Sequence, residues 1–250
     1  MAFNFLYYIK SGRISRIIHL KTVQIALLLA ILSVTLSFMH FWFLLWFLML
    51  SLAPLRADDF AAQLQTPKVQ NAALQLSRRA MQTFLQSGKT IAAPADLPPA
   101  LKRRAGVFVT VEKRGQITPR GCRGTLQPIS GTLGEEIIRN SIAACSRDSR
   151  VAPLKLGELP RCLISLSVVL RVTPIASIAA HDVENNGLIA RSGSKIGIVL
   201  PYEGRDSQTQ EKWAKRKAGL AENASAQLLE LVAVRFRESA ASLASTSPSR

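Results

Sequence analysis

An uncharged, apolar run from Val23 to Leu55 divides this 250-residue chain into two unlike parts. A helix that crosses a membrane needs about 20 apolar residues, and this run is longer than that. The residues before it include four Lys or Arg and no Asp or Glu. Because positive charges stay on the cytoplasmic side, the pattern predicts a single-pass membrane protein with residues 56–250 outside the cytoplasm.

Two alternatives to an uncleaved anchor stay open. The apolar core of a cleavable signal peptide is usually about 7–15 residues long, which favours the anchor. The Leu55–Ala57 sequence nevertheless resembles a weak cleavage site, after which the rest would be secreted, and Met39 is a second candidate for the start of the chain. The anchor interpretation gives a basic flank at 1–22, a membrane segment at 23–55 and a linker at 56–67.

The part after residue 55 is long enough to bury a hydrophobic core. The chain has 32 Lys and Arg against 16 Asp and Glu, and every acidic residue lies in this part. Its basic residues are scattered and it contains one Trp and one Tyr, so it lacks the basic and aromatic pattern of a nucleic-acid surface. We expect a basic, soluble surface and no nucleic acid partner, with attachment to anionic lipid as a further alternative.

Hydrophobic periodicity and turn signals predict a folded domain at 68–240 and a disordered tail at 241–250. Thr132 and Glu135 fit a capping box, which predicts the start of a helix. Residues 161–171 alternate between apolar and polar, which predicts a strand with one buried side. No repeated β-α-β spacing occurs, so we expect an α+β fold of antiparallel sheets with packed helices. Other predicted elements are helices from Thr66 to Gly88, over 207–218 and over 224–240, a strand over 107–111, a turn at Arg114–Gln116 and a hairpin from Gly187 to Leu200.

The spacing of the three cysteines, Cys122, Cys145 and Cys162, fits neither a zinc site nor a disulfide framework. Cys145 lies on the apolar stripe of the helix that begins at the capping box, and Cys162 lies on the apolar side of the alternating strand. We expect both to be small buried side chains of the core. The sequence predicts no metal and no cofactor.

Cys122 lies in a different setting, between two glycines and two arginines in a run of turn-forming residues. Guanidinium groups favour a thiolate over a thiol, and the thiolate is the reactive form. Cys122 is therefore a candidate nucleophile, with Arg120 and Arg123 lowering its pKa. The competing interpretation is structural: the glycines allow a tight bend, and Arg120 forms a salt bridge with Glu158 or Asp148.

This run resembles the signature L-R-G-C-I-G-T of the AMMECR-domain family, and further matches follow in the family's order. The resemblance covers residues 68–240 and implies an α+β fold of two unequal subdomains with a cleft, close to which the signature cysteine lies. It implies no particular reaction. The matching residues are Gly106–Thr110, Arg120–Thr125, Asp148, Arg150 and Pro153 of a D-x-R-x-x-P pattern, Glu158–Leu159, Ser165–Val168, Gly187–Ile189, Leu200–Pro201 and Lys217–Leu220.

The chain departs from the family pattern at four positions. Pro119 and Arg123 replace the usual Leu and apolar residue of the signature, and Tyr202 follows Leu-Pro where Gln is common. Asn186 stands where the family commonly has His before Gly. After residue 55 the chain has a single histidine, so a Cys–His dyad would need His181 to reach the signature cysteine.

Two functions stay open. In the first, Cys122 is the nucleophile of an enzyme that acts on an anionic small molecule or a modified residue. In the second, the same cleft holds a ligand or partner without turnover, which the missing histidine and the membrane segment favour. The expected partners are a membrane, through residues 23–55, and an unidentified small molecule or protein. The other candidate cleft residues are Arg120, Gly121, Arg123, Gly124, Thr125, Asp148, Arg150 and Glu158, with a local Asp148–Arg150 ion pair as the structural alternative.

Overall fold

The computed structural model describes residues 55–113 and 119–239. Some predicted features lie outside these residues: the basic flank at 1–22, the membrane segment at 23–55 except for Leu55, the turn at Arg114–Gln116 and the tail at 241–250. Among the residues described, no helix is both long and apolar enough to cross a membrane.

The α-helices of the described residues are α1 (Leu55–Gln65), α2 (Pro67–Ser87), α3 (Pro99–Lys102), α4 (Leu133–Ser146) and α5 (Ser207–Lys217). Pro67 suits the first position of α2, where its missing N–H is not needed, and α2 ends at Gly88 with a left-handed φ of 70°. The predicted capping box opens α4. The Glu135 N–H donates to Thr132 Oγ1 at 3.2 Å, and the Thr132 N–H donates to Glu135 Oε2 at 2.9 Å.

The strands of the described residues form one antiparallel sheet of six, with the order β2-β1-β3-β6-β4-β5. This confirms the predicted α+β class and antiparallel pairing, the strands over 107–111 and 161–171, and the hairpin. The strands are β1 (Val107–Lys113), β2 (Pro119–Gly124), β3 (Cys162–Pro174), β4 (Asn186–Ser192), β5 (Lys195–Val199) and β6 (Gln227–Arg237).

Helices α2 and α4 cover one face of the sheet and form the main core with it. Val107, Val109 and Val111 of β1 are buried there, because alternate residues of a strand point to the same face. Cys145 and Cys162 are buried in the same core, as predicted. Helix α5 packs mainly on β4 and β5, around a small separate apolar cluster. The other face of β1, β2 and β3 is therefore left without a covering helix among the described residues.

The predicted helix over 224–240 is wrong, because this segment forms β6 in the middle of the sheet. Leu229, Val232 and Phe236 have the spacing of one helix face, which is why the sequence predicts a helix. In the strand, Phe236 is buried beneath α2 and α4, whereas Leu229 is buried in a cluster on the opposite face. A strand that buries opposite faces at its two ends imitates the helical period.

A helix also replaces the linker expected at 56–67. Phe60 and Leu64 of α1 are buried in the main core, and their i, i+4 spacing places them on one side of the helix. The Arg103 guanidinium carbon lies 4.2 Å from the centroid of the Phe60 ring, within the range of a cation–π contact. The amphipathic signal is short, since only one turn of α1 carries it.

The signature glycines are needed for close packing. A Cβ at position 121 would lie inside the van der Waals radius of the Ala144 carbonyl oxygen, so β2 lies against the backbone of α4. A Cβ at Gly124 would overlap the ring of Phe108 in the same way. Neither glycine has a positive φ. Their role is to let the strand approach its neighbours.

We predict that Gly121→Ala lowers the free energy of unfolding by about 2 kcal/mol, because the added methyl forces α4 away from β2. Urea unfolding followed by circular dichroism measures this change. Gly157→Ala is the matched control, since a Cβ there meets nothing within 4 Å, and it should change stability by no more than about 0.5 kcal/mol. Equal losses in the two variants would contradict the prediction.

Candidate functional site

Cys122 lies on β2 at one edge of the sheet, on the face that α2 and α4 leave open. Its sulfur accepts a hydrogen bond from the Thr110 hydroxyl of β1, with 3.3 Å between Oγ1 and Sγ. The half-buried thiol packs on an apolar cluster that includes Phe108 and Leu200. Leu200 begins the turn Leu200–Glu203, in which the Glu203 N–H donates to the Leu200 carbonyl at 3.1 Å. We use the name Cys122 cleft for this thiol together with the side chains of β1, β2, β6 and the turn that surround it.

The two arginines beside Cys122 in sequence point away from its sulfur. Arg120 binds Glu158 through two hydrogen bonds, of 3.1 and 3.0 Å, and also donates to the Ala152 and Pro153 carbonyls. Arg123 donates to the Arg147 carbonyl at the end of α4. The salt bridge of the structural interpretation is therefore present. Neither guanidinium is placed to activate the thiol.

The pKa of the Cys122 thiol is raised, which contradicts the expectation that its neighbours lower it. Burial is the main cause, because it disfavours the charged thiolate. The Thr110 hydrogen bond opposes this effect, and the Glu203 carboxylate adds to it. Arg150 and Lys217 lower the pKa without reversing its direction. A raised pKa favours the thiol over the thiolate at neutral pH.

Asp148 holds the backbone of Cys122 in place. Its Oδ2 accepts the Cys122 N–H at 2.9 Å, and its two oxygens accept Arg150 Nε and a terminal Arg150 nitrogen at 2.9 and 2.7 Å. The Arg150 hydrogen bonds are the main reason why the pKa of this buried carboxyl lies far below its usual value. Arg150 also donates to the Cys122 carbonyl at 3.4 Å. The local Asp148–Arg150 ion pair suggested by the sequence thus also hydrogen-bonds the Cys122 backbone, because Asp148 accepts its N–H and Arg150 donates to its carbonyl.

Glu136, which the sequence does not single out, fixes the end of the signature. This fully buried carboxylate accepts the Thr125 hydroxyl at 2.6 Å and the N–H groups of Ile129 and Ser130 at 3.0 and 2.7 Å. Burial alone would raise its pKa, but these hydrogen bonds outweigh burial and lower it. Asn140 joins the same network by donating to Glu136 and to a β1 carbonyl. Thr125 therefore has a structural partner and does not face the cleft thiol.

An ion-pair network on β1 and β6 lies on the same face of the sheet as Cys122. Glu112 pairs with Arg235 at 3.0 Å and with Arg237 at 2.5 Å, and it accepts the Ser165 hydroxyl at 3.1 Å. Sequence reasoning missed the two arginines because it assigned the β6 segment to a helix. The strict alternation of Arg235 and Arg237 with apolar residues was the signal that could have identified them.

The turn Leu200–Glu203 lies next to this network, since the Tyr202 ring centroid is 5.5 Å from the Arg235 guanidinium carbon. Pro201 and Tyr202 occupy its central positions, and Tyr202 has a φ of 69°, the one positive φ of a non-glycine residue in the described chain. This is a type II turn, whose third residue is normally Gly or Asn. A side chain in this region costs about 1 kcal/mol or more. Glu203 holds the turn, because Oε2 accepts the Leu200 N–H at 3.1 Å and Lys217 Nζ at 2.7 Å.

His181 does not pair with Cys122. The ring is buried, with Nε2 at 2.7 Å from Gln210 Oε1 and Nδ1 at 3.4 Å from Glu230 Oε1. Gln210 lies on α5 and Glu230 lies on β6, so the partners of His181 are not the residues that surround Cys122. No Cys–His dyad and no cluster of metal-ligating side chains occurs among the described residues.

We predict that Asp148→Asn lowers the free energy of unfolding at pH 7 by about 2 kcal/mol, because hydrogen bonds to a charged group are lost. Since the pKa of Asp148 is lowered by folding, its stabilisation is complete above the unfolded-state value, about 3.9, and is lost as the pH falls further. The difference from the wild type should therefore shrink below about pH 4. Urea unfolding at a series of pH values measures it.

Asp182→Asn is the control for this prediction. Asp182 is exposed and binds only its own turn, through Glu184 and Asn185. Its replacement should cause a much smaller loss at pH 7. A stability difference for Asp148→Asn that grows in acid would show that the carboxylate destabilises the fold.

Comparison with known proteins places this arrangement in a family. Residues 74–241 match the AMMECR1 family. A protein of Thermofilum pendens is 32% identical over 169 residues, which cover 60% of this chain and 79% of that protein. A protein of Thermotoga maritima is 36% identical over 148 residues, which cover 58% and 84%. The crystal structure of an uncharacterised protein from Pyrococcus horikoshii matches with a TM-score of 0.65 and 28% identity, covering 69% of this chain and 93% of that one. By its sequence and by its curled antiparallel sheet with packed helices, the chain belongs to the AMMECR1 family.

Proposed function

We propose that this AMMECR1-domain protein binds a small anionic ligand in the Cys122 cleft without covalent chemistry. The supporting observation is the orientation of the ion pairs around the cleft, since in each pair the cation is more exposed than the carboxylate. The Arg150 side chain is 59% exposed and that of Asp148 is 4% exposed. The cleft therefore presents cations to solvent, which favours an anion. The pairs are Arg150–Asp148, Arg235–Glu112, Arg237–Glu112 and Lys217–Glu203.

The state of the thiol favours binding over nucleophilic catalysis. A cysteine nucleophile is normally activated by a lowered pKa or by an adjacent base. The pKa of Cys122 is raised, and its sulfur is hydrogen-bonded to a hydroxyl group, which cannot act as a base at neutral pH. We infer that Cys122 serves as an uncharged part of the cleft wall.

Site-resolved alkylation of the full chain tests this proposal, with inorganic phosphate as the probe. We expect phosphate to slow the reaction of Cys122 with iodoacetamide severalfold at constant ionic strength, because a bound anion covers the thiol. Without phosphate, the rate should rise only above the ordinary thiol pKa of about 8.5, since a raised pKa leaves less thiolate at a given pH. Mass spectrometry of the labelled peptides measures both effects.

Matched variants separate the cleft from general charge effects. Lys217→Gln should weaken protection by phosphate, because Lys217 lies at the cleft and acts on the Cys122 thiol. Lys212→Gln removes a cation of the same helix that pairs with Glu222 instead, and it should leave protection unchanged. Equal effects of the two substitutions, or no protection in the wild type, would sink the proposal.

A cysteine-centred enzyme acting on an anionic small molecule or a modified residue is the second candidate. The observation in its favour is that the free thiol faces the cationic cleft, where Thr110, Arg150 and Lys217 each lower its pKa in part. An alkylation midpoint clearly below about 8.5 would favour this function over simple binding.

We further propose that residues 23–55 anchor the chain in a membrane, with residues 56–250 outside the cytoplasm. The support is the sequence alone: a long uncharged run follows a basic flank. The alternative of cleavage and secretion predicts a shorter mature chain without this segment.

Extraction of membranes at high pH tests the anchor. We expect the full chain to stay in the membrane pellet, and the double substitution Phe38→Arg and Phe41→Arg to release it, because charges at the centre of a spanning helix are costly. External protease should digest the domain in intact spheroplasts. A mature chain that begins near Asp58 and is released without detergent would instead establish secretion.

A further inference from the structure

We propose that Tyr202 is a ligand-contacting residue of the Cys122 cleft and that the ligand is a planar ring bearing an anionic group, such as an aryl phosphate or aryl carboxylate. This inference rests on the proposed function and specifies the class of anion. It begins from a conflict between the side chain of Tyr202 and its backbone conformation.

Nothing in the folding of the turn calls for a tyrosine at this position. Its φ of 69° suits Gly or Asn, which occupy the left-handed region far more readily. Tyr202 is also 58% exposed, so it contributes little to a core. A strained, exposed aromatic residue beside a cationic side chain points to a ligand contact.

The residue after Tyr202 holds the backbone of the turn. The Glu203 side chain accepts the Leu200 N–H and Lys217 Nζ, and its carbonyl accepts Gln210 Nε2 at 2.7 Å. The backbone that carries the ring is therefore anchored, which lowers the entropy cost of contacting a ligand.

The ring lies beside a cation that is itself anchored. The guanidinium carbon of Arg235 is 5.5 Å from the centroid of the Tyr202 ring, and Arg235 is held by Glu112 at 3.0 Å. An aromatic surface and a cationic surface thus meet at one edge of the cleft. A planar ring can contact the edge of Tyr202, or the ring face that Arg235 leaves free, while its anionic group pairs with the guanidinium.

The test compares three probes for their protection of Cys122 from iodoacetamide in the full chain: phenyl phosphate, cyclohexyl phosphate and inorganic phosphate. The first two share a charge and a similar size and differ in the planarity of the ring. We expect phenyl phosphate to protect at about fivefold lower concentration than cyclohexyl phosphate, as an aromatic pair predicts. Tyr202→Leu should abolish this difference, whereas Tyr202→Phe should preserve it.

Tyr202→Asn distinguishes a ligand contact from a structural role. Asn fits the turn, so this variant should unfold at the same or a higher temperature than the wild type while losing the preference for phenyl phosphate. A preference that survives Tyr202→Leu, or a loss of thermal stability in Tyr202→Asn, would overturn the inference while leaving the proposed anion site intact. Failure of inorganic phosphate to protect the wild type would remove both.

Discussion

The cleft depends on direct contact between the backbone of β2 and the last turns of α4. Gly121 permits this contact because it has no side chain. The chain then leaves α4 at a point from which Asp148 reaches the Cys122 N–H and the Arg147 carbonyl accepts Arg123. β2 is an edge strand that pairs with β1 alone. The hydrogen bonds to Asp148 and Arg147 therefore fix β2 where no second strand is present to do so. The signature is conspicuous in the sequence because it concentrates these packing requirements in six residues.

Much of the fold is predictable from local signals, and the failures have a physical cause. The capping box at Thr132, the alternation of β3 and the hairpin each carry their information within a few residues. β6 was misassigned because its two ends bury opposite faces, which only the complete sheet determines. α1 was missed because Phe60 and Leu64 form a single apolar turn, and the core that buries them is remote in sequence.

The sequence directs attention to Cys122, but it does not reveal the charges around the thiol. The arginines beside Cys122 along β2 bind Glu158 and backbone carbonyls. The charges that act on its thiol come from Glu203, Arg150 and Lys217, which are 28 to 95 residues away in sequence. Being close to Cys122 along the strand therefore does not make Arg120 and Arg123 its electrostatic partners. The charges that do affect the thiol are brought near it by strand register and by the turn, which the sequence alone does not show.

The place of β6 in the sheet has a consequence for biosynthesis. β6 is the last strand of the described chain, and it lies between β3 and β4 in the sheet. Domains usually begin to fold from the N-terminus while the ribosome adds about 5–20 residues per second. Here the two halves of the sheet have no direct pairing until Gln227–Arg237 have been made. The nascent polypeptide therefore cannot join the two halves of its sheet until this strand has been translated.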